Sequence, residues 1–191
     1  MGMRAPLRPA LRFWLAQLLL YFRRADAALA LLREVARERP DHQQAWSTIG
    51  FVLAERGELA AALDAFDRAL ALDPRDSGTH FNVGYVLQQQ GRHEEALAAL
   101  ERAVAADPAN DRAWFGAGLS LVRLSRLEEA AARFEEAARL QPFNPYAAYE
   151  LAAVYHRLGR PEKVRAQYER VKGFDPKVSE RIRREFGVAV R

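Results

Sequence analysis

Aromatic side chains recur at one spacing in this sequence and could hold a ligand by apolar contact. Positions 13, 47, 81, 115 and 149 lie 34 residues apart, and four of the five are aromatic. A second series begins four residues later, at position 17, and follows the same interval. The rings of the two series are Phe13, Phe51, Phe81, Tyr85, Phe115 and Tyr149. Aromatic side chains supply large contact areas, so the pattern indicates recognition by repeated elements.

Residues that could carry acid–base or metal chemistry are scattered. The four histidines, at 42, 80, 93 and 156, take four different places in the 34-residue interval, so repetition brings no two together. A metal site needs three or four converging ligands. Paired glutamates are adjacent in sequence and would point about 100° apart on a helix. Cysteine is absent, which excludes thiolate chemistry and disulfides. We therefore predict no catalytic residue, no metal site and no cofactor, and expect that the chain is not an enzyme.

The composition is that of a folded protein with basic ends. Half of the 191 residues are apolar and 28% are charged, with a net charge of +4. Residues 1–24 contain five arginines and no acid, whereas the middle of the chain is mildly acidic. A globally basic surface is not indicated, so we expect no nucleic acid partner. Only three of the 29 basic residues are lysine, which favours a GC-rich, bacterial genome.

Five prolines define the repeated element. Pro40, Pro74, Pro108, Pro142 and Pro176 recur every 34 residues, each after a stretch with helical patterning that the proline ends. Small residues recur at a second position, and large residues recur 16 positions after them. The small residues are Ala16, Gly50, Gly84, Gly118 and Ala152, and the large ones are Leu32, Phe66, Leu100, Phe134 and Tyr168. Glycine within a helix needs a packing reason, so the pattern predicts two antiparallel helices in close contact per unit.

Start and stop signals place these helices. We expect first helices at 9–22, 43–56, 77–90, 111–124 and 145–158, and second helices at 25–38, 59–72, 93–106, 127–140 and 161–173. Gly57, Gly91 and Gly159 are predicted to end first helices in a left-handed conformation, whereas Arg23 and Ser125 hold that position in the other two units. A further helix at 177–186 is predicted to cover the last repeat.

These repeated positions resemble the tetratricopeptide repeat, whose 34-residue unit carries Trp, Leu-Gly, Tyr, Ala, Phe, Ala and Pro at set places. The best unit, 43–76, matches with Trp46, Ile49, Gly50, Leu53, Ala62, Phe66, Ala69 and Pro74. The other units are 9–42, 77–110, 111–144 and 145–178, between a basic segment, 1–8, and a capping helix with a basic tail, 179–191. The resemblance implies an all-α, right-handed superhelical solenoid of antiparallel helix pairs with a concave face. His80 replaces the tryptophan in its unit and is predicted to be a half-buried structural residue.

The resemblance also implies where a ligand would bind. First helices line the concave groove in this family, so the groove would hold a protein or peptide segment. The candidate groove residues are Phe13, Gln17, Phe51, Phe81, Asn82, Tyr85, Gln88, Arg112, Phe115, Arg123, Tyr149 and His156. The alternative is that the aromatic stripe is ordinary packing between repeats. Family members that hold chaperone tails use a five-residue carboxylate clamp. Only Asn82 and Arg112 match it here, which argues against that role.

The first helix suggests a second contact surface. Residues 13–22 are apolar almost all round, whereas a terminal helix of a repeat array normally has a polar outer face. The run is too short to span a membrane, and Arg23 and Arg24 disfavour a signal peptide. Residues 9–24 could therefore contact a second copy, a partner protein or a membrane surface, unless residues 1–8 fold back over them.

The leading functional hypothesis is a scaffold that binds a protein or peptide segment in its groove. The alternatives are a self-assembling structural oligomer and an accessory subunit of an enzyme or membrane-envelope complex, tethered through the N-terminal helix. We expect the chain in the cytoplasm, with the periplasm or a membrane surface as alternatives.

Overall fold

A computed structural model describes residues 8–189, and within that range the chain forms eleven α-helices and no strand. Five helix pairs precede a single last helix. They are α1 (Pro9–Tyr21) with α2 (Ala25–Glu38), α3 (Gln43–Glu55) with α4 (Leu59–Leu72), α5 (Ser77–Gln89) with α6 (His93–Ala106), α7 (Asp111–Arg123) with α8 (Leu127–Leu140), α9 (Pro145–Arg157) with α10 (Pro161–Lys172), and finally α11 (Pro176–Phe186). Every helix begins and ends within one residue of its predicted bounds.

Side-chain caps start four of the five first helices. The Asp76 side chain accepts a hydrogen bond from the backbone N–H of Gly78 at the start of α5, and Asn110 accepts one from Ala113 at the start of α7. Asn144 accepts one from Tyr146 at the start of α9. Such bonds satisfy N–H groups that have no partner within the helix.

Left-handed residues connect the two helices of each pair. Gly57, Gly91 and Gly159 have φ of 77°, 73° and 67°, as predicted. Arg23 and Ser125 adopt the same conformation, with φ of 57° and 60°. Glycine adopts this region without steric cost, whereas a side chain with a Cβ is strained there. The turn therefore requires a left-handed residue even in the two units where the sequence has no glycine at this position.

The two helices of a pair approach closely at the column of small residues. A Cβ on Gly84 would lie 2.5 Å from Leu100 Cγ, and one on Gly50 would lie 2.5 Å from the Phe66 ring. Phe66, Leu100 and Phe134 are fully buried. Consecutive pairs also pack on each other, because each second helix contacts the first helix of the next pair. The structure thus confirms the all-α solenoid, whose buried residues lie within each pair and between stacked pairs.

The two ends of the solenoid differ. At the C-terminal end, α11 packs on α9 and α10 and buries Ile182 completely, as expected of a capping helix. At the N-terminal end, Arg12 occupies the tryptophan position and is buried, with its Nη1 2.5 Å from Glu38 and 3.5 Å from Glu34 on α2. The opposite face of α1 is exposed. The fold-back of residues 1–8 predicted as an alternative involves residues 1–7, which lie outside the described range.

Between residues 8 and 189, no helix combines the length and the apolar character that crossing a bilayer requires.

Candidate functional site

The first helices lie side by side along the inner surface of the solenoid. Helix α5 contacts both α3 and α7, although each of these belongs to a different pair. Side chains from the three helices therefore converge on one surface. That surface is the concave groove, and the candidate residues are distributed along it as follows.

Five candidate residues surround one cavity at the centre of the groove. Phe51 comes from α3, Phe81, Asn82 and Tyr85 come from α5, and Arg112 comes from α7. The cavity has a volume of about 180 Å³, and its floor includes the buried ring of Phe66. Phe51 and Tyr85 are each 46% exposed, so both rings are open to solvent at the mouth of the cavity. We call this group the central cavity.

Arg112 supplies the positive charge at the central cavity. Its guanidinium carbon lies 4.8 Å from the centroid of the Phe81 ring, a distance typical of a cation–π contact. Stacking on the ring fixes the plane of the guanidinium but uses none of its N–H donors. Arg112 forms no ion pair with any residue in the range 8–189. Its N–H groups can therefore receive a carboxylate or a peptide carbonyl.

Two other candidates are engaged in packing between helices. The Phe115 ring lies 5.4 Å from the core ring of Phe134, and the Phe13 ring lies 4.7 Å from His42. Both side chains are half-buried. At these two positions the packing interpretation describes the contacts better than an open ligand site does.

The C-terminal part of the groove is covered by the chain itself. The Tyr149 hydroxyl donates to Glu185 Oε2 at 2.5 Å, and the Arg181 guanidinium carbon lies 4.1 Å from the Tyr149 ring centroid. Phe186 lies 5.4 Å from the His156 ring. Burial and the bond to Glu185 raise the pKa of Tyr149, and the same bond, with Arg181, lowers the pKa of Glu185. Helix α11 thus contacts two residues that the sequence assigned to the groove, of which Tyr149 is half-buried and His156 stays exposed.

A second cavity, of about 360 Å³, lies between the central cavity and α11. It is lined by the candidates Gln88 and Arg123, together with Glu150 and His93. Gln88 Nε2 donates to the Gly116 carbonyl at 2.7 Å and to Ser120 Oγ at 2.8 Å, which fixes its amide. Burial raises the pKa of Glu150. The remaining candidate, Gln17, is exposed and donates to Thr48 Oγ1 at 3.3 Å.

Sequence reasoning missed two acids in the groove. Glu55 lines the central cavity and Glu150 lines the second one. Both lie on first helices, at the positions that face the groove, so the helical register could have identified them. They were not selected because the search concentrated on rings, amides and bases.

His80 has a structural role, as predicted, but is more deeply buried than expected. The indole Nε1 of Trp46 donates to the Pro40 carbonyl at 2.9 Å, and Trp114 makes the same bond to Pro108 at 3.0 Å. His80 Nε2 lies 2.9 Å from the Pro74 carbonyl and is 6% exposed. A carbonyl only accepts, so Nε2 must carry the proton. The histidine therefore replaces both the ring and the hydrogen bond of the tryptophan.

The geometry defines a class of protein, an all-α solenoid of helix pairs of the kind that serves as a protein-interaction scaffold. Two family models, both described as tetratricopeptide repeat, match this chain. One matches residues 41–109, and the other matches 83–145 and 116–179. The chain belongs to the tetratricopeptide repeat family. A comparison with curated protein sequences gave no match.

Several solved structures share the fold. MamA from Desulfovibrio magneticus RS-1, beginning at its residue 41, is 26% identical, with a TM-score of 0.80 over 88% of this chain and 95% of that one. PilF of Pseudomonas aeruginosa is 22% identical, with a TM-score of 0.81 over 94% of this chain and 84% of that one. YrrB, described as a TPR protein with an unusual peptide-binding site, is 22% identical, with a TM-score of 0.75 over 91% and 90%. At these identities the likeness to PilF and YrrB shows the fold alone.

Proposed function

We propose that this chain is a scaffold that binds an extended protein or peptide segment in its concave groove, centred on the central cavity. The observation that carries the proposal is the convergence of five candidate residues from three helices on one cavity. Two half-exposed rings and an unpaired guanidinium meet there, and folding alone does not require that combination.

The size of the cavity fits a single side chain. Pockets for small-molecule ligands usually measure about 300–1,000 Å³, whereas the central cavity measures about 180 Å³. An apolar side chain of the ligand would enter between Phe51 and Tyr85. The Asn82 amide can bond the ligand backbone, and Arg112 can bond an adjacent carboxylate in a bidentate fashion. The preferred ligand is therefore a segment with a bulky apolar residue next to an acidic one.

Selection from a random displayed peptide library tests the proposal, with the selected peptides measured by fluorescence polarisation. We expect them to share an apolar–acidic pair and to lose at least about tenfold in affinity with Phe51→Ala/Tyr85→Ala, because each ring contributes contact area. Arg112→Gln should weaken acidic peptides more than their amide counterparts.

A matched control uses exposed rings elsewhere. Phe143 and Tyr146 are 79% and 68% exposed and do not line the central cavity. The variant Phe143→Ala/Tyr146→Ala should bind the selected peptides as the wild type does. Peptides that bind the two double variants equally well would place recognition outside the groove and refute the proposal.

A further inference from the structure

The outer face of α1 is the largest group of exposed apolar side chains on one helix of the described chain. Leu11, Trp14, Leu18, Tyr21 and Phe22 are 49%, 63%, 37%, 81% and 63% exposed. Their spacing of three and four residues places most of them along one side of the helix. Large exposed apolar patches on a folded protein usually mark an interaction site.

Comparison with the other repeats shows what part of this face normally does. The residues equivalent to Leu11 are Ala45, Thr79, Ala113 and Ala147, and those equivalent to Leu18 are Val52, Val86, Ser120 and Val154. All eight are at most 2% exposed, because the second helix of the preceding pair covers them. Leu11 and Leu18 thus lie on the surface that stacks against a preceding repeat, and no described element of the chain packs against them.

The rest of the face is more apolar than stacking requires. The positions equivalent to Trp14 hold Thr48, Asn82, Gly116 and Glu150, and those equivalent to Tyr21 hold Glu55, Gln89, Arg123 and Arg157. Only in α1 are both positions aromatic. The apolar surface of α1 is therefore wider than the strip that one more helix of a repeat would cover.

Unpaired arginines flank this face at both ends. Arg8, Arg23 and Arg24 form no ion pair with any residue from 8 to 189, and the sequence contains no acid before Asp26. The fourth arginine between residues 8 and 24 is Arg12, which Glu34 and Glu38 neutralise on the inner side. The outer surface thus combines apolar side chains with uncompensated positive charge.

The charge disfavours end-to-end contacts with a second copy. Pairing two α1 faces brings arginines together whether the helices run parallel or antiparallel, because both ends are basic. A head-to-tail contact with α11 meets the same difficulty. The charged residues of α11 are Lys177, Glu180, Arg181, Arg183, Arg184 and Glu185, with a net positive charge. An extended negative surface is the complementary occupant.

We propose that α1 docks this protein on a lipid bilayer that contains anionic phospholipids. The helix has 13 residues and is about 20 Å long, so it would lie in the plane of the interface. Leu11 and Leu18 would reach the acyl chains, while Trp14 and Tyr21 would sit at the headgroup level that such side chains favour. Arg8, Arg23 and Arg24 would bond lipid phosphates. This contact uses the N-terminal end of the solenoid, so the central cavity between α3, α5 and α7 stays open.

Flotation of the full chain with vesicles tests the proposal. The vesicles are phosphatidylcholine alone or phosphatidylcholine mixed with phosphatidylglycerol. We expect binding to the anionic vesicles at low salt, and weaker binding at high salt because the charges are screened. Trp14→Ser/Tyr21→Ser should reduce the partition coefficient at least about tenfold. Arg23→Gln/Arg24→Gln should reduce it roughly 25-fold, since each arginine near such a surface contributes about fivefold.

Matched controls carry the same changes elsewhere. Phe143→Ser/Tyr146→Ser removes two exposed rings, and Arg102→Gln/Arg165→Gln removes two exposed arginines that form no ion pair in the described chain. Both should float as the wild type does. All variants alter exposed residues, and circular dichroism and thermal unfolding establish that they remain folded.

Three outcomes would overturn the proposal. The first is a wild type that fails to float with anionic vesicles at low salt. The second is a Trp14→Ser/Tyr21→Ser variant that binds as the wild type does. The third is a wild-type dimer in sedimentation, without vesicle binding, that the same variant dissociates, which would assign the face to a second copy. Peptide binding in the groove is measured separately, so failure of this proposal leaves the proposed function standing.

Discussion

At the scale of the residue, His80 shows how one position can keep its function with a different side chain. In two other repeats a tryptophan N–H bonds the carbonyl of the proline that precedes the helix, and His80 makes the same bond with a smaller ring. The bond connects the end of one unit to the first helix of the next. It therefore ties the loop between consecutive units to the helix that follows it.

His80→Phe should lower the free energy of unfolding by roughly 1–3 kcal/mol, because it keeps an aromatic ring but leaves the Pro74 carbonyl without its donor. His80→Trp should retain the bond and remain within about 1.5 kcal/mol of the wild type, because the position accepts tryptophan in the neighbouring units. Urea unfolding followed by circular dichroism measures both. A phenylalanine variant as stable as the wild type would show that the hydrogen bond contributes nothing.

The central cavity and the cover over Tyr149 differ in how far the sequence could predict them. Phe51, Phe81 and Tyr85 follow the 34-residue interval, so their common surface follows from the period alone. The contact of Tyr149 with Glu185 does not, because α11 lies outside the repeated pattern and its docking depends on tertiary packing. Periodicity places residues of equivalent units and carries no information about an element that occurs once.

At the scale of the element, the turns within helix pairs are set by a single left-handed residue. The bounds of the helices were predictable to within one residue because proline and glycine end helices by local chemistry that tertiary contacts do not override. The strain at Ser125 and Arg23 was predictable for the same reason. Both residues carry a Cβ, which makes the left-handed conformation sterically unfavourable, whereas glycine has none.

Ser125→Gly should raise the free energy of unfolding by up to about 1 kcal/mol. The left-handed conformation costs a residue with a Cβ roughly 1–2 kcal/mol, and glycine removes that cost. Part of the gain in stability is lost because glycine has more conformational freedom in the unfolded chain. The reverse change, Gly91→Ser, should lower it by a similar amount at the equivalent position. Nothing lies within 4 Å of a Cβ at Gly91, so the comparison isolates backbone strain from steric contact. Thermal unfolding of the two variants should shift in opposite directions. Shifts in the same direction would contradict the account.

At the scale of the whole molecule, the stability of each repeat depends on its neighbours. Each helix pair has an apolar side that only the next pair covers, so the solenoid is a chain of nearest-neighbour contacts. Helix α11 ends this series of contacts at the C-terminal end, and α1 leaves it open at the N-terminal end. A local defect should consequently loosen the repeats beside it before it affects distant ones.

Ile182→Ala tests this coupling, because Ile182 is fully buried where α11 meets the last repeat. Removal of its methyl groups should cost about 2–5 kcal/mol, and the loss should fall first on α9, α10 and α11. Hydrogen exchange should therefore accelerate within residues 145–189 while protection of residues 43–106 changes little. The release of α11 should also expose Tyr149 and lengthen the open groove. Leu100→Ala, a change of similar size in the middle of the solenoid, should accelerate exchange on both sides of α6. A uniform acceleration throughout the chain in both variants would instead establish that the solenoid unfolds as one cooperative unit.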